Sequence, residues 1–400
     1  MRISPPKVIN NPLPINEAEL GETQINPMQL VSYYQQQEII MIKHYTKILV
    51  ADRIPSLNKG ELAILEGILK TFEIFDEVSV SVFSFHPQLD NERYPRNVKK
   101  IDITGELHLR SHLEEKSTLI KMIYAIFAMV QHLFFGLLYF VLRKNAFKLF
   151  RGRIWKEYYE ADAIVTCHDQ VSCLFGPSTL RFFPLYIVLL AKTLGKKLII
   201  YGNGTPKFRN KLWERLGKYV LNNADLVTAR AEETFAYLRK LAKRKSHIFL
   251  TADPAFLLPP ANIEVVQHIL QKENIKRSQG LLIGITCAYH HFLGVSWEQR
   301  NHLKKKEVIK NLASLVDRLI EEFHATIILF EQRLLPHHNR DDRKLAKEIY
   351  HAARNKYGIV VITNEYSARE LKGLIGTFDL FIGGRLHSVI SAVSSSVPTL

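Results

Sequence analysis

The residues best suited to chemistry are gathered in one turn, Gly383-Gly384-Arg385-Leu386-His387-Ser388. A guanidinium fork binds carboxylate or phosphate through paired N–H groups, and an imidazole titrates near neutrality and suits proton transfer. Gly383 and Gly384 permit a ligand to approach the backbone closely, so an anion clamp at Arg385 and an acid/base group at His387 share a single turn. In a purely structural role Ser388 would cap a helix, Arg385 would join a surface ion pair and His387 would be a satisfied core residue. The functional reading is preferred because of the turn's position. It follows the apolar run DLFI and precedes a helical pattern at Val389, Ile390 and Val393, where open α/β sheets bind their ligands.

A second candidate is Asn58-Lys59-Gly60-Glu61, after the first strand-like run and before a helix marked by Leu62, Leu65, Ile68, Leu69 and Phe72. A helix N-terminus offers unpaired N–H groups and partial positive charge; Lys59 adds a formal charge, and Gly60 lets an anion approach. Asn58 and Glu61, three residues apart, equally suit a capping pair. Arg230, in LVTARAEET, reads as either an anion ligand or a surface arginine, and Asp253, before Pro254, as a turn or helix cap. The run from Pro336 to Asp342 mixes histidines with carboxylates, but its spacing matches no standard ligand pattern, so no metal is expected.

These residues need elements to hold them. Short apolar runs (KILVA, VSVSVF, AIVTC, KLIIY, HIFL, LLIGIT, TIILF, IVVIT, DLFI) alternate with helical patterns from Lys47 onward. Nearly continuous apolar strands separated by helices imply parallel sheets covered on both faces. The segment from Leu258 to Gln279, with its proline pair, reads as a connection, which predicts two Rossmann-like α/β domains over 41–262 and 275–400. Residues 1–40, rich in Pro, Asn and Gln, read as a disordered arm without the layout of a secretory signal.

One stretch departs from this alternation. Met122 to Leu142 is free of formal charge and is followed by Arg143, Lys144, Lys148, Arg151, Arg153 and Lys156. A helix of that length reaches across a bilayer core of about 30 Å, but a single crossing would put Lys47 and Ala163 on opposite sides although both belong to one sheet. The expectation is therefore an apolar helical insertion over 118–152 that lies in, or re-enters, an anionic membrane surface from one side. A buried core helix is the alternative.

The 400 residues carry a net charge of +15, which calls for an anionic partner: a nucleic acid, an acidic membrane surface or a phosphorylated substrate. No nucleic-acid module is present in the sequence, so nucleic acid is the least favoured. Cys167, Cys173 and Cys287 are too few for a disulfide framework, which fits a reducing, cytoplasmic compartment.

NKGELAILEGIL, LVTARAEET, TADPAFLL and FDLFIGGRLHSVISAVSSSVPTL, in that order, resemble the polysaccharide pyruvyl transferase family from about Lys47 to Leu400. The resemblance implies a GT-B-like pair of domains and transfer of a pyruvyl group from phosphoenolpyruvate to a sugar of a cell-surface or lipid-linked glycan, as a cyclic ketal, with no cofactor. It matches Arg385 to the family's donor-binding arginine and His387 to its proposed general acid. It also leads one to expect family elements after Val397-Pro398, so that the second domain would be incomplete at Leu400. Two other readings share some of these features. A membrane-associated GT-B glycosyltransferase would take a nucleotide-sugar donor, and a non-catalytic membrane adaptor would bind neither.

Overall fold

In the computed structural model the described residues are 47–53, 58–74, 78–84, 90, 98–102, 130–131, 133–149, 153–167, 183–204, 207–208, 211–277, 280–286, 288, 302–332 and 342–400. The chain first builds β1 (Lys47–Arg53), α1 (Lys59–Phe72), β2 (Ser79–Ser84) and β3 (Val98–Asp102). There follow α2 (Arg153–Glu160), β4 (Ala163–Cys167), α3 (Phe183–Thr193), β5 (Lys197–Asn203), α4 (Lys211–Asn223), β6 (Leu226–Ala229), α5 (Glu232–Leu241) and β7 (Ile248–Leu250). The seven strands form one sheet in the order β3-β2-β1-β4-β5-β6-β7, every neighbouring pair parallel. Parallel strands need crossovers and bury both faces, which is why β5 is buried from Leu198 to Asn203.

The second half comprises α6 (Ile263–Lys272), β8 (Leu282–Thr286), α7 (His302–Phe323), β9 (Thr326–Phe330), α8 (Asp342–Ala352), β10 (Ile359–Val361), α9 (Ala368–Ile375), β11 (Leu380–Gly383) and α10 (Leu386–Val393). Its four strands are parallel in the order β10-β9-β8-β11, and Thr399 bridges Phe381 beyond β11. The two orders share a logic. Each sheet grows outward from its first strand to one side and then reverses, at β1/β4 in the first and β8/β11 in the second. A crevice opens at such switch points, beyond the carboxyl ends of the strands. The loop before α1 leaves one switch point, and the Gly383–Ser388 turn leaves the other.

The connection expected over Leu258–Gln279 is partly a helix. Asn262 caps α6 by accepting from Val265 N at 3.0 Å, and Val266 and Ile269 are buried on the second domain's side, Val266 against Gly373 of α9. The proline pair only turns the chain into it. α1 also differs from expectation: an amphipathic pattern predicts one buried face, yet Lys59, Gly60, Ala63, Ile64, Glu66 and Gly67 are buried along with the apolar positions. The cause is its place in the fold, packed against the turn Pro254–Leu257 and against α9 and α10 as well as its own sheet.

Of the apolar stretch, residues 130–131 and 133–142 are described and helical; Met122–Met129 and His132 lie outside the described residues. Phe135 and Tyr139 pack edge-on against Trp155, Phe147 and Tyr159, joining this helix to the first domain. Val130, Leu133, Phe134, Leu137, Phe140 and Val141 face outward, Leu137 with 62% of its surface exposed. Among the described residues, no helix is long and apolar enough to cross a membrane.

Candidate active site

The turn after β11 is set by packing before it is set by chemistry. A Cβ on Gly383 would lie 2.1 Å from Val389 Cγ2, so only glycine lets α10 fold back onto its strand. The Gly383 N–H donates to Leu400 O at 2.9 Å and the Gly384 N–H to Thr286 O at 2.8 Å. Both N–H groups are therefore spent on the protein, and the glycines shape the turn. Ser388 is buried, its hydroxyl 2.7 Å from Thr286 Oγ1 and donating to Arg385 O at 2.7 Å, which ties the turn to β8. The first-turn N–H groups of Leu386 and His387 have no protein acceptor among the described residues. They give this end of α10 the partial positive charge that suits an anion.

Arg385 reaches from the turn to Asp342 at the start of α8, donating through Nε to Oδ2 at 3.2 Å and through Nη2 to Oδ1 at 2.5 Å. Asp342 is itself buried and accepts from Gln332 N at 3.2 Å. This two-point contact fixes the plane of the guanidinium at the rim of the crevice.

His387 lies between the domains. A Cβ on Gly60 would fall 2.7 Å from His387 Nδ1 and 3.1 Å from Cγ, so glycine at the start of α1 is what lets the ring approach. The other ring nitrogen, Nε2, is 3.4 Å from Arg230 Nη1 and 3.7 Å from Asp253 Oδ2. Arg230 follows β6, with its own N–H held by Asn203 O at 3.0 Å, and its Nη1 donates to Asp253 Oδ2 at 2.8 Å. Burial pushes the Asp253 carboxyl up. The hydrogen bond and charge of His387, with the charge of Arg230, outweigh that and hold it below the ordinary carboxylate value.

The other predicted residues are found at the same boundary in different roles. Asn58 caps α1, its Oδ1 accepting from Glu61 N at 3.4 Å, which is the capping alternative. Lys59 is 1% exposed; its N–H donates to Gln332 O at 2.9 Å and its Nζ to Glu365 Oε1 at 2.7 Å, across to the second domain. Its charge helps fasten the domains together. Gly60, expected to let an anion approach, has the ring of His387 against it. Asp253, read from sequence as a cap, does cap the turn after it by accepting from Ala255 N at 2.9 Å, and it also faces the crevice. No local signal distinguishes those roles, because its second set of partners comes from β6 and α10. Of the Pro336–Asp342 cluster only Asp342, the partner of Arg385, is among the described residues; among those described, no group of His, Cys, Asp and Glu side chains suits a metal ion.

Two parallel α/β domains meeting at their switch points, with arginines and a histidine in the crevice, define a protein of GT-B-like build. Solved structures agree on the fold. The UDP-GlcNAc 2-epimerase of Methanocaldococcus jannaschii superposes with a TM-score of 0.54 at 12% identity, covering 88% of this chain and 82% of that one. The Neisseria meningitidis UDP-GlcNAc 2-epimerase bound to UDP-GlcNAc gives 0.51, also at 12% identity, covering 88% and 81%. The chain belongs to the polysaccharide pyruvyl transferase family, whose model matches residues 58–400. It is 21% identical over 366 residues to the amylovoran biosynthesis protein AmsJ of Erwinia amylovora, covering 88% of this chain and 82% of that protein.

Proposed function

We propose that the crevice binds phosphoenolpyruvate and transfers its pyruvyl group, as a ketal, to a sugar of a cell-surface or lipid-linked glycan in exopolysaccharide assembly. The observation that carries this reading is the convergence of Arg230, Arg385 and His387 on one interdomain crevice in a chain of this family. Phosphoenolpyruvate has a carboxylate and a phosphate, and two arginines with the start of α10 supply two places for anionic groups. His387 gives a proton to the methylene carbon, which becomes a methyl group and leaves C2 electrophilic. A sugar hydroxyl adds to C2, and the proton it sheds restores the imidazolium. The bond from C2 to the phosphate oxygen then breaks with its electron pair, a neighbouring hydroxyl closes the ketal, and the second hydroxyl's proton leaves with the phosphate. The scheme calls for no metal or redox cofactor.

The same reading places the enzyme on the cytoplasmic face of an anionic membrane, where a lipid-linked acceptor would be met in two dimensions. The outward apolar face between Val130 and Val141 supports it, as do the exposed cations Arg143, Lys148 and Lys156 that follow.

Isothermal titration tests the donor. Phosphoenolpyruvate should bind the purified chain at one site, and Arg385→Ala should weaken that binding by tenfold or more. Heat from a nucleotide sugar, with none from phosphoenolpyruvate, would overturn the assignment.

A further inference from the structure

We propose that Asp253 is the positioning residue for His387, supplying the negative charge that offsets Arg230 beside the imidazole. The inference rests on the reading of His387 as the proton donor and adds a group that the reaction scheme does not itself require. Its starting point is an electrostatic conflict. Arginine is always charged, and here its Nη1 stands 3.4 Å from His387 Nε2, so Arg230 alone disfavours a second positive charge on the ring. With a proton on Nε2, as a proton donor requires, Nη1 and Nε2 are two donors that cannot satisfy one another. A proton donor placed there needs an anion close to both groups, and Asp253 Oδ2 lies 2.8 Å from Arg230 Nη1 and 3.7 Å from His387 Nε2.

Among the described residues, the carboxylate recorded against the ring is that of Asp253. α1 presents Gly60, whose neighbour Lys59 is engaged with Glu365. On the ring's own turn, Arg385 is held by Asp342. From α9, Arg369 pairs with Glu66 of α1, and Lys372 donates to the carbonyls of Phe256 and Leu258. Capping does not account for the geometry either. Oδ1 alone accepts from Ala255 N, while Oδ2 is turned toward Arg230 and His387 in a side chain only 5% exposed. Burying a second carboxylate oxygen is costly unless a charge answers it.

The test removes the charge and keeps the cap. Asp253→Asn retains an Oδ1 acceptor for Ala255 N, and Asp253→Ser retains a hydroxyl acceptor should the asparagine variant fold poorly. In the full chain, the His387 Cε1–H resonance is followed by NMR against pH. Loss of the carboxylate should lower the ring's titration midpoint by about one pH unit or more, the scale expected for an opposite charge at this range. Because the acid must carry its proton, the alkaline limb of turnover with phosphoenolpyruvate should move to lower pH by the same amount. Phosphoenolpyruvate affinity should hold or tighten, since a negative charge has left the crevice. An unmoved midpoint in a folded variant overturns the proposal. So does a uniform fall in turnover at every pH with the limb in place, which is what a merely structural aspartate would give. A midpoint that shifts while the limb stays would leave the Asp253–His387 pairing standing and remove His387 from the role of acid.

Discussion

At Gly60 one hydrogen atom decides where the His387 ring can sit. Alanine there puts a methyl group 2.7 Å from His387 Nδ1, so the imidazole must move. Alanine is no worse than glycine in a first helical turn, so the change should leave the melting temperature within a few degrees while lowering kcat by tenfold or more. Unchanged kcat would show that the ring tolerates displacement and is not the proton donor. His387→Ala should abolish turnover and leave phosphoenolpyruvate binding within about tenfold, because a proton donor acts chiefly in the transition state. Arg385→Ala should weaken binding itself. The placement of Arg385 and His387 at the crevice was legible in the sequence because a strand-end turn in an open α/β sheet lies at its switch point. The roles of Lys59 and Asp253 were not. Lys59 meets Glu365 306 residues away, and nothing around a Lys-Gly pair says that its charge will be consumed by the other domain.

Among the elements, α1 is packed more tightly than an amphipathic helix normally is. A Cβ on Gly67 would lie 1.9 Å from the carbonyl oxygen of Pro254, which is backbone and cannot swing aside. Gly67→Ala would gain about 1 kcal/mol of helix propensity on an exposed helix; here overpacking should cost about 1–3 kcal/mol net and push the Asp253 turn out of place. Thermal and urea melts check the first effect and turnover the second, and a stabilised variant would contradict the packing. His247, just before β7, gives a pH-dependent companion. Burial, above all, lowers its pKa, with the charge of Arg244 adding to that; the ring donates from Nε2 to Leu221 O at 2.9 Å as a neutral imidazole. The folded state thus binds fewer protons than the unfolded chain. Stability should fall as pH drops below about 6.5 toward the lowered value, and His247→Gln should flatten that part of the urea-midpoint profile. The strands built of apolar runs were readable for the same reason that they are buried. β3 was not: VKKID lies at the sheet's edge, where half-exposed and exposed lysines are tolerated.

At the scale of the whole molecule, two surfaces stand out among the described residues. One is the domain boundary, where Lys59–Glu365, Glu66–Arg369 and the buried ammonium of Lys372, its pKa lowered by desolvation, hold the switch points together. The other is the outward side of the apolar helix. Phe135 and Tyr139 face inward and Leu133, Phe134, Leu137, Phe140 and Val141 outward, a division into two faces that hydropathy alone could not supply, since both are equally apolar. The structure also strengthens the premise of a same-side arrangement, because β1 and β4 are paired in register at Ile48–Ala163. A polypeptide cannot cross a bilayer once between two adjacent strands of one sheet, so any contact with lipid must enter and leave on one side. Flotation with anionic vesicles should therefore carry the enzyme upward, with partial release at high salt as the contributions of Arg143, Lys148 and Lys156, about 1 kcal/mol each, are screened. Leu137→Asp with Phe140→Asp should abolish the salt-resistant fraction while leaving the melting temperature unchanged, since both side chains face away from the core. Binding that survives this double change, or is equally strong on neutral vesicles, would mean that the outward face meets something other than an anionic lipid surface.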